Sequence, residues 1–439
     1  MAKLTFVGGI HPYDGKDLSK DRPIRNYVPK GEMVYPLSQH IGAPAQAIVA
    51  KGDRVLVGQK IAEAGGFVSA PVYASASGTV KGIEPRRVAS GDLVMSILVD
   101  NDELFEEVKI PQPKAVDEMT GEEILAAIRE AGIVGMGGAG FPTHVKLAPK
   151  EPDKIDYVIA NCAECEPYLT SDYRRMLEES ERLVDGMRVI LRLFPNARGV
   201  FAVEDNKPDC IALLRKLTAG ESRISVKALV TKYPQGGERS LIYAVTGRKI
   251  NSKMLPADVG CVVNNVDTMV AVGRAVLEGR PLLERIVTLT GDAMQEPCNY
   301  RVRIGTDYQE LLEAAGGFRG TPEKVICGGP MMGNALFDLH IPVTKTSTAL
   351  LAFSKDAVAA MEPGPCIKCG RCLEVCPGRI QPCVVATCAE HFDEEAFERN
   401  GGMECCECGC CSYICPAGRH LTQSIKSMRK ILLAKKRKK

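Results

Sequence analysis

Eight cysteines in two copies of one spacing constrain this chain more than any other feature. Cys366, Cys369, Cys372 and Cys376 form C-x2-C-x2-C-x3-C with Pro377 behind them, and Cys405, Cys408, Cys411 and Cys415 repeat it with Pro416 behind. Two-residue gaps let one tight loop wrap three corners of an inorganic cubane, and soft thiolates suit soft iron better than nitrogen or oxygen ligands do. Zinc closes with four ligands and has no use for a doubled eight-cysteine pattern. The spacing therefore points to two [4Fe-4S] clusters, groups that exchange electrons one at a time. Cys383, Cys388, Cys406 and Cys410 fall outside the register and read as bystanders.

The doubled run resembles that of bacterial two-cluster ferredoxins, in which the fourth cysteine of each run ligates the other cluster. That resemblance implies one cluster on Cys366, Cys369, Cys372 and Cys415, and a second on Cys405, Cys408, Cys411 and Cys376. The start, MAKLTFVGGI, does not read as a secretory signal, so eighteen cysteines are expected to stay reduced and not to pair as disulfides. No apolar stretch approaches the ~20 residues of a membrane span. The net charge is +2, yet residues 426–439 hold eight basic side chains and no acid, which leaves the body net negative, so the basic balance is local and no nucleic acid partner is expected. This basic tail reads as a solvated charge run. The alternative is docking on anionic lipid or acidic partner subunits, at about 1 kcal/mol per basic residue.

A chain of 439 residues is expected to hold several domains, at roughly 150 residues each. Residues 46–83 alternate short β-branched runs with glycine turns, a small all-β pattern. They resemble the biotinyl/lipoyl barrel-sandwich hybrid, but the tip Ala74-Ser75-Ala76-Ser77-Gly78 has no lysine to carry a prosthetic group. A structural module over 1–113 is expected. After a proline-flanked linker, Thr120 and Glu123 fit a capping box opening the helix EEILAAIREAG. Strand-like runs at 156–161, 199–204 and 224–230 then alternate with a long helix over 171–193 and another over 208–217, which predicts a Rossmann-like α/β domain over 114–280 with a parallel sheet. Ligands of such sheets gather at the strands' carboxyl ends, here Asn161, Glu204 with Asp205, and the loop 232–238. Residues 281–352 suggest a ubiquitin-like (β-grasp) ligand-binding unit, with Gly328-Gly329-Pro330 as turn chemistry. Residues 353–425 are the α-helical ferredoxin-like segment.

Gly135-Met136-Gly137-Gly138-Ala139-Gly140-Phe141-Pro142 contains a G-x-G-x-x-G-like string. A dinucleotide fingerprint follows a strand, whereas this loop follows a helix, so the plain Rossmann reading is demoted. Dense glycine still brings backbone N–H groups close to a phosphate or a planar ring. The alternative is a tight interdomain connection. GMGGAGFPTHVKL resembles the flavin and nicotinamide loop of the NADH-binding flavoprotein subunit of respiratory complex I. So do Asn161-Cys162-Ala163-Glu164-Cys165-Glu166-Pro167, Tyr233-Pro234-Gln235-Gly236-Gly237-Glu238 and Asn264-Asn265-Val266-Asp267-Thr268. With the barrel and the cysteine segment, the order is similar to the RnfC subunit of the Rnf electron-transport complex across nearly the whole chain. Ala163 and Gly237 depart from the complex I pattern.

The resemblance implies FMN held by Gly135, Gly137, Gly138, Gly140, Lys146, Asn161, Glu164, Glu166, Tyr233, Gly236, Asn264, Asn265 and Thr268. It implies NAD(H) stacked near Phe141, with Glu238 close to the ribose or nicotinamide. A hydride carries two electrons and a cubane takes one, so a flavin between them is the natural converter. The implied activity is that of an NAD-dependent ferredoxin oxidoreductase subunit, peripheral on the cytoplasmic face of the membrane. The implied partners are NADH, ferredoxin and the other subunits of an Rnf-type complex, a ferredoxin-like iron-sulfur subunit above all. Ion pumping would fall to those other subunits. The alternatives are a flavin and iron-sulfur cobalamin reductase, whose modules occur in another order, and a non-enzymatic electron wire or docking scaffold.

Overall fold

In the N-terminal region of the computed structural model, which describes residues 4–437, short strands with period-two burial close a small β module. Met33–Pro36, Leu93–Asn101, Gly78–Arg87 and Arg54–Val55 form one antiparallel sheet, and Gln46–Ala47, Lys60–Glu63 and Val72–Tyr73 another. Their inward residues, among them Met33, Tyr35, Val55, Ile61, Val72, Val80 and Ile97, make the core between them. The tip at Ala74–Ser77 is fully buried. Ser75 Oγ donates to the Ile304 carbonyl at 2.5 Å, and the Tyr35 hydroxyl accepts the N–H of Ser75 at 3.0 Å. A tip pressed against the 281–352 unit cannot swing a prosthetic group, which gives a physical reason for the missing lysine.

The first residues do not belong to that module's core. Leu4 bridges to Leu229 and Ile10 to Tyr233, and Arg25–Asn26 runs parallel to Cys298–Arg303 in a different sheet. The expected 1–113 unit therefore begins with a thread laid across its neighbours.

The central domain opens with α1 (Gly121–Glu130), where the capping box forms: the Glu123 N–H donates to Thr120 Oγ1 at 3.2 Å and the Thr120 N–H to Glu123 Oε2 at 2.7 Å. Four strands, β1 (Tyr157–Cys162), β2 (Arg198–Glu204), β3 (Ile224–Leu229) and β4 (Cys261–Asn265), are all parallel in the order β3-β2-β1-β4. Helices α2 (Ser171–Glu178), α3 (Ser180–Leu193), α4 (Pro208–Leu217), α5 (Glu238–Thr246) and α6 (Val266–Glu278) accompany them. The single helix expected over 171–193 is two helices. Glu179 leaves the helical region at φ −130° and ψ 33°, and its carboxylate binds Arg175 at 3.1 Å and Arg301 of the next domain. β4 goes unmarked in the sequence, because its apolar run over 261–263 is only three residues long before Asn264 and the helix cap Asn265. Chain order reverses between β1 and β4, and a ligand of an open parallel sheet sits at such a switch point.

The next unit is a mixed sheet containing Cys298–Arg303, Glu284–Thr290, Ala349–Phe353, Lys324–Cys327 and Asn334–Leu336, with Arg25–Asn26 on its edge and the helix Tyr308–Ala314. Its central pair, Glu284–Thr290 with Ala349–Phe353, is parallel. Gly328 lies at φ +96° in the turn that precedes Asn334–Leu336.

The cysteine segment is helical. Its two halves repeat one backbone: Lys368 and Glu407 have φ of 55° and 57°, Gly370 and Gly409 77° and 83°, Arg379 and Gly418 54° and 62°. Left-handed conformation at non-glycine Lys368 and Glu407 is costly, so its recurrence at equivalent positions reflects a shared loop requirement. The basic tail expected to begin at 426 is instead continuous with the helix Leu421–Arg437. Ile425, Met428 and Leu432 lie on one face of it and pack with Val385, Ala389 and Phe397. Its outer face pairs Lys436 with Glu398 at 2.8 Å and Lys435 with Glu394. The last two lysines of the expected tail, Lys438 and Lys439, lie outside the described residues. Among the described residues no helix is long and apolar enough to cross a membrane.

Candidate electron-transfer site

The parallel register sets Asn161 at the end of β1 beside Asn265 at the end of β4, with Asn264 beside Ala160. Successive strand residues point to opposite faces, and the two neighbouring asparagines have different surroundings. Asn265 caps α6, its Oδ1 accepting the Asp267 N–H at 2.8 Å while its Nδ2 donates to Asp172 at 2.6 Å. Asn264 is 2% exposed, and both polar atoms of its amide lack a partner. A buried, unsatisfied amide costs ~1–3 kcal/mol and suits a site built for a polar ligand edge.

The glycine loop lies against α6. The Gly135 N–H donates to the Phe141 carbonyl at 2.8 Å, which closes the loop, and the Met136 N–H donates to Thr268 Oγ1 at 3.0 Å. Arg285, buried, donates to the Met136 carbonyl at 3.3 Å and to Asp267 at 2.5 Å. A Cβ on Gly137 would stand 2.7–2.8 Å from the Asn265 side chain, whereas one on Gly138 would meet nothing within 4 Å. Gly140, at φ +70°, is held from outside: its carbonyl accepts the Ile41 N–H of the barrel at 3.3 Å. Phe141 is half-buried.

Lys146 and Glu238 face each other at 3.8 Å, and Lys146 Nζ donates to the Val263 carbonyl of β4 at 2.9 Å. Burial pulls the Lys146 ammonium below the ordinary lysine range, with Glu238 opposing. Asn161 Nδ2 donates to the Gly236 carbonyl at 2.9 Å, and the Gly236 N–H donates to Cys165 Sγ at 3.2 Å, so the 232–238 loop is tied to the end of β1. These residues converge around the β1/β4 switch point.

Two expected flavin contacts have their carboxylates engaged elsewhere. Glu164 accepts the N–H groups of Asp172 at 2.7 Å and Tyr173 at 3.3 Å at the start of α2, and lies 3.9 Å from Lys16. Glu166 accepts the N–H groups of Met331 at 2.6 Å and Met332 at 3.1 Å, pinning the Gly328–Gly329–Pro330 turn region of the mixed-sheet domain. Beneath this stretch Glu164 and Glu204, both singled out in the sequence, share a buried charge cluster with two lysines that sequence reasoning missed, Lys16 and Lys207. Lys16 Nζ donates to the carbonyls of Glu166 at 3.1 Å and Leu169 at 2.5 Å, and Lys207 Nζ donates to that of Ala163 at 2.7 Å, 3.5 Å from Glu204. Burial pushes the Glu204 carboxyl up to about 7, with both lysines opposing. Lys16 comes from the N-terminal thread, and nothing in its own neighbourhood signals this partnership.

A cavity lies in the cysteine segment. Cys405, Cys408, Cys411 and Cys376 line it, together with Cys406, Cys410, Ile380 and Ile425. These four include the cysteine from the other run that cross-ligation requires, and their donor set is that of a cubane. Cys372 is buried, whereas Cys366 and Cys369 of the first run are exposed. Between the two sites lies a small apolar cluster of Ile10, Tyr233, Cys408 and Cys410, with Cys165 and Met331 packed on it. Cys410, expected to be a bystander, donates its thiol to the Tyr233 carbonyl at 3.9 Å.

The C subunit of the Na(+)-translocating ferredoxin:NAD(+) oxidoreductase complex of Acetobacterium woodii is 44% identical to this chain over 436 residues, 99% of this chain and 98% of that protein. The chain belongs to the RnfC family of ion-translocating ferredoxin:NAD(+) oxidoreductase subunits. The corresponding subunit of the proton-translocating complex of Clostridium ljungdahlii is likewise 44% identical, over 87% of this chain and 84% of that protein. This near full-length similarity decides against the cobalamin-reductase alternative, and makes the chain an electron-transferring subunit of an oxidoreductase. Family profiles match residues 4–104 as the RnfC barrel sandwich hybrid domain, 128–274 as the Nuo51 FMN-binding domain and 286–335 as an SLBB domain. Two structures of NAD+-reducing [NiFe]-hydrogenase share the fold: the H2-reduced form at TM-score 0.51 and 20% identity, the air-oxidized form at 0.52 and 21%. The matched region covers 73% of this chain and 62% of the H2-reduced hydrogenase chain, and 74% and 69% for the air-oxidized form.

Proposed function

We propose that this chain exchanges electrons between NAD(H) and ferredoxin-level carriers through FMN at the β1/β4 cleft and two [4Fe-4S] clusters in the cysteine segment. The observation that carries the reading is the apolar cluster of Ile10, Tyr233, Cys408 and Cys410, which packs the 232–238 loop at the end of β1 against the cysteine-lined cavity. A bound flavin would supply the conversion between paired and single electrons. The remaining work belongs to the chain. Asn264 offers an unpartnered amide to the ligand, Gly137 leaves room beside Asn265, and Lys146 brings positive charge to the cleft. Phe141 and Glu238 would hold the nicotinamide nucleotide at the cleft mouth, where both are at least partly exposed.

Cys376 with Cys405, Cys408 and Cys411 would hold the cluster nearer the cleft. Cys366, Cys369, Cys372 and Cys415 would hold the outer one, whose exposed ligands suit hand-over to a ferredoxin-like iron-sulfur partner subunit. The repeated backbone of the two runs supports a ferredoxin-like fold, and the parallel central pair with its helix supports a β-grasp assignment for 281–352. The chain would sit peripherally on the cytoplasmic face of the membrane, with ion pumping carried out by other subunits.

Iron, sulfide and flavin analysis of the reconstituted chain, with an NADH titration followed by EPR, tests the reading. Two cubanes and one flavin, all reducible by NADH, are expected. A chain that binds flavin and iron normally but takes no electrons from NADH would overturn it.

A further inference from the structure

Residues 4–10 lie where the flavin-binding domain meets the cysteine segment, and they touch both. On one side the Val230 N–H donates to the Leu4 carbonyl at 2.9 Å. Ile10 and Tyr233 exchange both backbone hydrogen bonds, at 2.8 and 2.9 Å. On the other side the Gly9 N–H donates to the Val375 carbonyl at 2.8 Å. Val375 follows the short helix Arg371–Glu374, so its carbonyl is one that a helix end leaves without an internal partner. The next residue is Cys376, the cysteine that crosses to the cavity shared with Cys405, Cys408 and Cys411.

Gly8 and Gly9 make this double contact possible. Their φ angles are +90° and +84°, a region that side chains disfavour. A Cβ on Gly9 would lie 2.7 Å from the Tyr233 carbonyl oxygen and 2.7 Å from the Phe6 ring, and one on Gly8 would lie 3.0–3.2 Å from the backbone of Val375 and Cys376. Lys232, next to Tyr233, closes the turn. Its Nζ donates to the carbonyls of Phe6 at 2.6 Å and Gly8 at 2.8 Å and stands 4.1 Å from the centre of the Phe6 ring. One ammonium thus satisfies two carbonyls of a bend that secondary structure cannot, and adds a cation–π contact.

We propose that residues 6–10, anchored by Lys232, are a positioning strap that fixes Cys376 relative to Tyr233, and so sets the spacing between flavin cleft and nearer cluster. Lys232 and Gly9 act through their neighbours and touch no cofactor. The inference rests on the proposed electron path for its consequence, but the strap itself is a claim about one cluster's corner. Electron transfer through a protein falls steeply with separation, so a loosened Cys376 corner slows the step between flavin and cluster without slowing reduction of the flavin.

The test uses the full chain, reconstituted with clusters and FMN, as wild type, Lys232→Met, Lys232→Arg and Gly9→Ala. Two readouts are followed: the EPR signals of the dithionite-reduced clusters, and the stopped-flow rates of flavin and cluster reduction. Lys232→Met and Gly9→Ala are expected to change the signal of one cluster only, and to slow flavin-to-cluster transfer at least threefold while flavin reduction stays within twofold of wild type. Lys232→Arg, which keeps the donors, is expected to restore both. Unchanged signals of both clusters in Lys232→Met and Gly9→Ala would overturn the strap, as would equal loss of both. Failure of NADH to reduce the wild-type flavin would instead overturn the proposed function, with the dithionite comparison still deciding on the strap.

Discussion

Thr268 Oγ1 accepts the N–H of Met136 at 3.0 Å, which ties the glycine loop to the first turn of α6. Both groups are buried, and valine has nearly the shape of threonine without the acceptor. Thr268→Val leaves the Met136 N–H unsatisfied at a cost of ~1–3 kcal/mol and lets the loop drift from the cleft. FMN affinity, followed by quenching of flavin fluorescence, is expected to fall about tenfold, since ~1.4 kcal/mol is a factor of ten. Thr268→Ser keeps the acceptor and is expected to bind FMN within about threefold of wild type.

Two adjacent glycines separate steric need from mere flexibility. Gly137→Ala places a methyl group 2.7–2.8 Å from Asn265, whose amide is held by Asp267 and Asp172 and cannot step aside. Overpacking of this kind costs ~1–3 kcal/mol. Gly138→Ala meets nothing within 4 Å. The first variant is expected to weaken FMN binding and lower the melting temperature, the second to alter the melting temperature little. Equal effects of the two on melting would remove the cradle argument.

Asn264 lets ligand binding be separated from folding. Its amide is buried and unpartnered, so Asn264→Leu relieves a desolvated polar group in the ligand-free chain. Denaturant melts of the ligand-free variant are expected to show a gain of about 1 kcal/mol, while FMN affinity falls. A variant that loses stability without FMN would show that the amide has a structural partner instead.

The fold is legible in the sequence where local patterns carry it. The capping box at Thr120 and Glu123, the three strands expected upstream and the repeated cysteine spacing all depend on residues close together in the chain. What could not be read arises from distant partners. Glu179 breaks a helix because Arg301, in another domain, draws its carboxylate. Lys16 lies beneath the 161–166 stretch from far upstream. Asn264 and Asn265 look equivalent as letters, and only the strand's alternation and the helix start at Asn265 make one a cap and leave the other unpartnered. The tail misleads for a local reason: eight basic residues mask the Ile425, Met428 and Leu432 stripe at helical spacing.

Cross-ligation of the two runs can be separated from independent sites by single substitutions. Cys376 lines the cavity of the second run, so Cys376→Ala is expected to perturb the cluster held by Cys405, Cys408 and Cys411 and to spare the other. Iron per chain falls by roughly half, and the remaining EPR signal is the one unaffected by Lys232→Met. Loss of the other cluster would mean that each run closes on itself.

Lys345 gives a pH dependence whose sign can be worked out. Its Nζ is buried and donates to the carbonyls of Pro71 at 2.6 Å and Gly132 at 2.8 Å, a junction of barrel, central domain and the mixed-sheet unit. Thr346 beside it packs against Gly140 of the glycine loop. Burial pulls the Lys345 ammonium down to about 7 from 10.5. Between these values the unfolded chain holds the proton and the folded chain does not, so stability attributable to Lys345 rises with pH across that window. It is fully present above the unfolded value and is lost as pH falls through about 7. Lys345→Met lacks the titration. Urea melts at several pH values are therefore expected to show wild type gaining on Lys345→Met, by a few kcal/mol, from about pH 7 to about pH 10. A difference that stays flat across the window, or narrows as pH rises, would show that Lys345 keeps its proton in the folded chain.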